Sequence, residues 1–467
     1  MKGKDIEGFV SKLNKIIVIF ALVAVLACCF ALFVGCGDKG GGNGGSEKLP
    51  FDRASESADG YATVYIPDDR DFKILVLSDP QIDTSQKYTL VGSLGNDKTY
   101  EFIEDFVGQC APDLVVINGD LVMNDTLATS APYFKRYGEI FDRIKVPWTF
   151  TFGNHDLDGT YTDEEADMED PDCGQCTKQT LIDYFNANYK YCLINTDSSC
   201  EDGAGNHFIN VRKKSGELVY TLCLFDCIYK GGNPNYNAVP TANQVNWYKD
   251  TILKISDNEF GKDREEGEVV KSMIFNHVGI PEFKEAWQKA WNNGNPTEDY
   301  HYGHWFEGNY SKNYGDMPED EQIFAVAKNL KSTTAIFMCH HHDNDFSVDY
   351  EGIRLTFGQH SGFAHNYRTQ QTFADGVFGF VDKTDLKNWL SISFERIDDY
   401  GDERGGTTVT ISKEGTFDIS QTIAREVMPD YFDKYYIDYD AVAQSLNGDS
   451  RFIGTVERGT ARKWKKA

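Results

Sequence analysis

The sequence predicts an α/β fold with parallel strands. Two observations carry it. From Asp71 onward, apolar runs of strand length alternate with stretches of helical spacing in the order β-α-β-α-β, the order that builds parallel sheets flanked by helices. Each of the three apolar runs also stops at a polar cluster: Ser78-Asp79-Pro80-Gln81, Asn118-Gly119-Asp120 and Gly153-Asn154-His155-Asp156. In such sheets ligands collect beyond the carboxyl ends of the strands, so these clusters belong to one rim.

The elements follow in order. Phe72 to Ser78 is a nearly continuous Val/Leu/Ile run and reads as a buried strand. Tyr100 to Cys110 has helical spacing, with Phe102, Ile103, Phe106 and Val107 on one side. Leu114–Asn118 is the second strand, Tyr133 to Ile144 the second helix, and Val146 to Phe152 the third strand. Gly153 is read as the residue that lets the chain turn there. Asn206 to Lys213 and Glu217 to Ile228 flank Lys214-Ser215-Gly216 as a β-hairpin. Thr241 to Ile255 is a helix with Thr241 as N-cap. Val269 to Phe275 is a strand ending in Asn276-His277, and Glu282 to Trp291 a helix. An aromatic, glycine-rich loop then runs through Tyr314. Glu319 to Leu330 is a helix, and Thr334 to Cys339 a strand ending in His340-His341-His342. Phe346 to Phe357 is a hairpin centred on Asp349 to Gly352; Leu390 to Arg396 and Thr407 to Ile419 supply further strands. The acidic, aromatic stretch Asp430 to Tyr439 is expected to pack as an extension.

The front of the chain has another character. Lys2, Lys4, Lys12 and Lys15 precede an unbroken apolar run from Ile16 to Val34, then Gly35-Cys36 and a Gly-rich stretch to Gly45. A small residue before Cys36 and a flexible polar linker resemble the lipobox of bacterial lipoproteins; Phe33 departs from the usual Leu, which leaves an uncleaved signal anchor open. Residues 1–35 are thus read as signal peptide or membrane anchor, and 36–62 as tether. Residues 63–420 are one domain, with 421–467 packed on it. Basic residues before the apolar run place the domain outside the cytoplasm.

A net charge of −27 over 467 residues argues against nucleic acid or an anionic membrane surface as partner. An anionic substrate needs concentrated local positive charge, and bound metal supplies it. Of 11 cysteines, Cys28 and Cys29 lie in the apolar run and Cys36 is the anchor candidate. The other eight suit disulfides in an oxidising compartment. A loop disulfide is the reading preferred to zinc for Cys173 and Cys176, because no second pair with zinc-finger spacing follows.

Asp79, Asp120, Asn154, His155, His277, His340 and His342 all stand at or beyond the ends of predicted strands. His340 and His342, two apart on an extended segment, are expected on one face. Any one has a bland reading as a loop acid or satisfied histidine. Together they compose a metal site.

The series Asp-x-Gln, Gly-Asp, Gly-Asn-His-Asp, Asn-His and His-x-His resembles the calcineurin-like metallophosphoesterase superfamily. His340-His341-His342-Asp343-Asn344-Asp345-Phe346 with Tyr350-Glu351-Gly352-Ile353 is most similar to its purple-acid-phosphatase-like branch. The resemblance runs from about Phe72 to Ile419. It implies a sandwich of two β-sheets flanked by α-helices. It also implies two divalent metal ions (Mn²⁺, Fe²⁺, Zn²⁺ or Mg²⁺), one held by Asp79, Gln81 and His342. Asn154, His277 and His340 hold the other, Asp120 bridges both, and His155 is the general acid. Gln81 stands where His is usual, which favours Mn²⁺ or Mg²⁺ at the first site. Cys339 stands where Gly is usual. Leu121 and Met123 follow Asp120 where a ferric-iron enzyme has Tyr, so no purple centre is expected. The implied reaction is hydrolysis of a phosphate ester by a hydroxide formed from water shared by the two ions. The alternatives are a phosphodiesterase or nucleotide-processing enzyme, and an anchored binding protein with a vestigial metal site. His304 and Trp305 are read as a substrate-pocket wall, against a self-packed surface flap.

Overall fold

A computed structural model describes residues 49–83, 91–123, 127–156, 177–228, 239–265, 267–305, 314, 317–342, 344–363 and 404–435. The chain divides into Met1–Leu49 and Pro50–Ala467, and the fold below is that of the second unit. The anchor and tether, Cys173 and Cys176, and the strand expected at Leu390 to Arg396 lie outside the described residues. Among the described residues no helix is long and apolar enough to cross a membrane.

Strands β1 (Phe51–Asp52) and β2 (Ala62–Tyr65) lead into β3 (Phe72–Leu77), β4 (Ile82–Asp83), β5 (Leu114–Asn118), β6 (Val122–Met123) and β7 (Trp148–Thr151). Helices Val91–Cys110 and Leu127–Ile144 connect them, both starting earlier than apolar spacing indicates. The hairpin β8 (His207–Arg212) and β9 (Leu218–Leu224) pairs as expected. Helix Ala242–Phe260 follows, and Thr241 and Gln244 close a reciprocal capping box at its start. Next come β10 (Ser272–Val278), helix Pro281–Trp291, β11 (Tyr300–Tyr302) and β12 (Thr333–Cys339). The hairpins β13 (Ser347–Tyr350) with β14 (Ile353–Phe357), and β15 (Gly405–Ile411) with β16 (Phe417–Ile423), complete the sheets.

Two mixed sheets result, nine strands in the order β1-β2-β8-β9-β10-β12-β14-β13-β11 and five in the order β16-β15-β3-β5-β7, and β4 pairs with β6 apart from both. Side chains alternate across each strand. Leu75, Leu77, Val115 and Ile117 pack with Phe102, Phe106, Phe134 and Phe141 of the first two helices. Ile274, Ile336 and Met338 pack with Val245, Tyr248, Phe283 and Phe324 of the helices on the nine-stranded sheet. The alternate residues fill the layer between sheets, where β10 and β12 touch β5 and the Phe275 and Phe337 rings stack at 4.7 Å. This is the expected sandwich of two sheets flanked by helices.

Three local expectations are corrected. The glycine-rich loop after Trp291 contains β11, which pairs with β13 at the sheet edge. Glu319–Glu321 is a 3₁₀ turn, and extended Gln322 separates it from helix Ile323–Leu330. Cys110, Cys192, Cys200, Cys223 and Cys339 are free thiols, so no disulfide joins these five. At the end of the described chain, Tyr431 and Tyr435 lie in the core beside Phe102.

Candidate metal centre

Strands β3, β5 and β7 are parallel neighbours, and so are β9, β10, β12 and β14. Their carboxyl ends meet at one rim, where Asn118 Nδ2 of one sheet donates to Asn276 O of the other at 3.1 Å. Asp79, Gln81, Asp120, Asn154, His277 and His342 are buried there; His155 and His340 are half-buried.

The residues form three overlapping groups, one of Asp79, His277 and Cys339 and two that meet at Asp120. Ligand atoms of Asp79, Asp120 and His342 lie within 4.8 Å of one another, and so do those of Asp120, His277 and His340. Asp79 Oδ1 stands 3.2 Å from His342 Nε2. Asp120 Oδ2 stands 3.1 Å from His277 Nε2 and accepts from Gln81 Nε2 at 3.0 Å. Asn154 Oδ1 lies 3.0 Å from His277 Nε2. Thus Gln81 touches Asp120 directly, and Asn154 reaches the same cluster through His277.

Four of these residues depart from strand backbone. Asp79, Gln81, Asp120 and His340 have φ of 49°, 43°, 51° and 80°, left-handed conformations that cost a non-glycine residue about 1–3 kcal/mol each. The turn at His340 overturns the expectation that His340 and His342 share a face by strand alternation. The chain bends there, so His340 joins His277 while His342 joins Asp79.

Gly153 is also corrected. Its φ is not left-handed; what the position needs is room. A Cβ there would stand 2.0 Å from Asp120 Oδ1. The same Cβ would stand 2.4 Å from the Asp120 backbone N, so Gly153→Ala should displace Asp120 and lower metal binding, which metal titration checks, with near-UV circular dichroism reporting how far the buried rim moves. Asp156 secures the same turn, accepting from Gly153 N at 2.7 Å and Val122 N at 3.0 Å. Burial, and then the neighbouring Asp120 charge, push its pKa up to about 7.

Burial alone would raise the pKa of Asp120, but His277 and His155 outweigh it and hold the carboxyl below its usual range. Burial likewise opposes a charge on His277, and Asp120 overrides it upward. Burial and the adjacent His341 and His277 push His340 well below an ordinary imidazole, so it presents a neutral lone pair. His277 Nδ1 faces Asn118 O at 3.0 Å, which turns Nε2 toward Asp120. Cys339 Sγ also donates to Asn118 O and sits 3.1 Å from His277 Nδ1. Burial pushes that thiol up to about 12, so it supports His277 as a neutral neighbour.

The donor set fits divalent cations. Carboxylates, amide oxygens and imidazoles converge, the mixture that suits Mn²⁺, Fe²⁺, Zn²⁺ or Mg²⁺. Gln81 Oε1, in addition, is buried with no hydrogen-bond partner among the described residues, an arrangement costly for an acceptor without a cation.

His155 donates its backbone N–H to Asp120 Oδ1 at 2.9 Å, which fixes the residue beside the carboxylate. The loop residues separate. Strand β11 runs antiparallel to β13, hence in the direction of β14, and carries Gly303 and His304 toward the rim. The His304 side chain is 60% exposed while buried Asp345 holds its backbone N–H at 2.8 Å. His301 is tied instead to Asp349 at 2.8 Å on the exposed sheet edge. Trp305 packs on Phe346 with centroids 5.8 Å apart. One neighbour had no signal in the sequence: buried His360 stacks on His342 at 4.6 Å.

The family model for calcineurin-like phosphoesterases matches residues 72–442, most of the chain. The chain belongs to that family. Among curated relatives, this chain is 19% identical over 64% of its length to a probable inactive purple acid phosphatase 29 of Arabidopsis thaliana, covering 73% of that protein. To a probable inactive purple acid phosphatase 14 of the same plant it is 21% identical over 58% of its length and 63% of that protein. Among solved structures, the chain aligns with a dimetal phosphatase from Danio rerio at 10% identity and TM-score 0.35, covering 63% of this chain and 88% of that one. It aligns with a purple acid phosphatase from yellow lupin (Lupinus luteus) seeds at 10% identity and TM-score 0.30, covering 65% and 47%.

Proposed function

We propose that this chain hydrolyses a phosphate ester at a dinuclear centre, outside the cytoplasm, on a membrane that holds it by a lipid on Cys36 or by residues 1–35 as an uncleaved signal anchor. The observation that carries the reading is Asp120, one buried carboxylate shared by two donor groups. Asp79, Gln81 and His342 would hold one divalent ion, and Asn154, His277 and His340 the other. Bound there, the pair would acidify a shared water and neutralise the phosphoryl oxygens. His155, beside Asp120 and only half-buried, supplies the proton that the leaving group takes. Asp156 and Cys339 keep the turn and His277 in register and touch no substrate.

The rival reading is a binding protein with a vestigial site, and the word inactive in the relatives' names gives it a basis. The full set of acid, amide and imidazole donors supports catalysis. Hydrolysis of p-nitrophenyl phosphate and bis-p-nitrophenyl phosphate, with and without Mn²⁺, separates the readings. Turnover of the first substrate supports a phosphomonoesterase, turnover of the second a diesterase, and none of either the binding protein.

His304 and Trp305 are proposed as the pocket wall, with His304 toward the phosphate oxygens and Trp305 toward the leaving group. His304→Ala and Trp305→Ala should raise KM several-fold for large substrates and leave metal content unchanged. They should scarcely affect a minimal aryl phosphate. Unaltered kinetics with a lowered Tm would return the loop to packing.

A further inference from the structure

The turn that follows β14 is used by nothing above, yet it is bonded into the centre. Ser361 N–H donates to Ser78 O at 2.9 Å, and Ser361 Oγ accepts from Ser78 N–H at 3.2 Å. Ser78, at the end of β3, immediately precedes Asp79. A Cβ on Gly362 would stand 2.2 Å from Pro80 O and 3.0 Å from Asp79 O, so only glycine lets the turn lie flat on the Asp79–Gln81 backbone. The preceding residue, His360, stacks its ring on His342 with 17° between planes.

The turn is anchored from behind. Ser361 Oγ donates to Gly405 O at 2.8 Å, Gly405 N–H to His360 O at 3.1 Å, and Arg404 Nε to Gly362 O at 2.7 Å. These bonds tie it to the start of β15. Three residues thus reach Asp79, the backbone of Gln81's loop and His342, the donors proposed above for one ion; Asp79 Oδ2 also accepts from His340 N–H at 3.3 Å. The other group is fixed differently: His277 by Asn118 and Cys339, and the turn before Asn154 by Asp156.

We propose that His360-Ser361-Gly362 is a template for the Asp79–Gln81–His342 half of the centre, with Ser361 and His360 as positioning residues for that half alone. The inference rests on the dinuclear reading. Asp79 and Gln81 are left-handed, and a strained backbone persists only where its surroundings over-determine it. Ser361 clamps that backbone through Ser78, and His360 limits the tilt of the His342 ring. The two halves should therefore respond differently to a lesion in the turn.

The test is Mn²⁺ titration and metal analysis of the full chain. Wild type should bind two ions. Ser361→Ala should keep one at its original affinity and weaken the other by about 10–100-fold, the usual effect of losing a support behind a ligand. Ser361→Thr, which retains the hydroxyl, should restore it. In a His277→Ala background, Ser361→Ala should weaken the ion that remains; in an Asp79→Asn background it should change nothing further. Should Ser361→Ala fail to fold by near-UV circular dichroism, His360→Gln, which keeps the backbone bonds of the turn, is titrated in its place with the same expected asymmetry. Unchanged binding at both sites, or equal weakening of both, overturns the template. Wild type that binds no Mn²⁺ fails the dinuclear reading itself, a result distinct from either.

Discussion

Asp120→Asn should reduce hydrolysis to background and lower metal content. The side chain is fully buried, with Oδ2 3.1 Å from His277 Nε2 and 3.0 Å from Gln81 Nε2. An amide keeps the shape but loses the negative charge that both donor groups share. If its nitrogen faces Gln81, two donors oppose each other; if its oxygen does, the other face is lost as a ligand. His277→Ala removes a donor but leaves the group of Asp79, Asp120 and His342 complete. It should also abolish turnover while leaving more metal bound than Asp120→Asn does. Metal analysis beside p-nitrophenyl phosphate hydrolysis checks the order. Full activity in Asp120→Asn would exclude it from the centre.

His155→Ala should separate proton donation from metal binding. Its backbone N–H, not its ring, carries the 2.9 Å contact to Asp120, and alanine keeps that bond. Metal content should therefore stay at the wild-type level while kcat falls by about 10²–10⁴-fold on an alkyl phosphate. p-Nitrophenolate leaves readily without a proton, so the loss on p-nitrophenyl phosphate should be smaller. Equal losses on both substrates, with metal released, would mean that the site had collapsed.

Strands were legible wherever burial imposed a continuous apolar run, as in Phe72–Leu77, Leu114–Asn118 and Thr333–Cys339. Because those strands are parallel and end in acids, amides or histidines, the rim was legible too. The backbone at the rim was not. Nothing in strand periodicity announces a left-handed Asp79, Gln81, Asp120 or His340, and such conformations decide which donor group each side chain joins. β11 escaped because three edge residues, paired through a register shift, make no alternating pattern. The Ser78–Ser361 clamp joins positions 283 apart, and local reading carries no information at that range. The contrast is physical: burial leaves a periodic trace in sequence, whereas a turn held by distant hydrogen bonds leaves none.

The central claim is that Asp120 joins two metal sites, and counting metal in the purified full chain tests it most directly. After dialysis against Mn²⁺, the chain should hold two ions and release p-nitrophenolate in a metal-dependent way. A chain that holds no ion, and stays inert when Mn²⁺ is added, would contradict it.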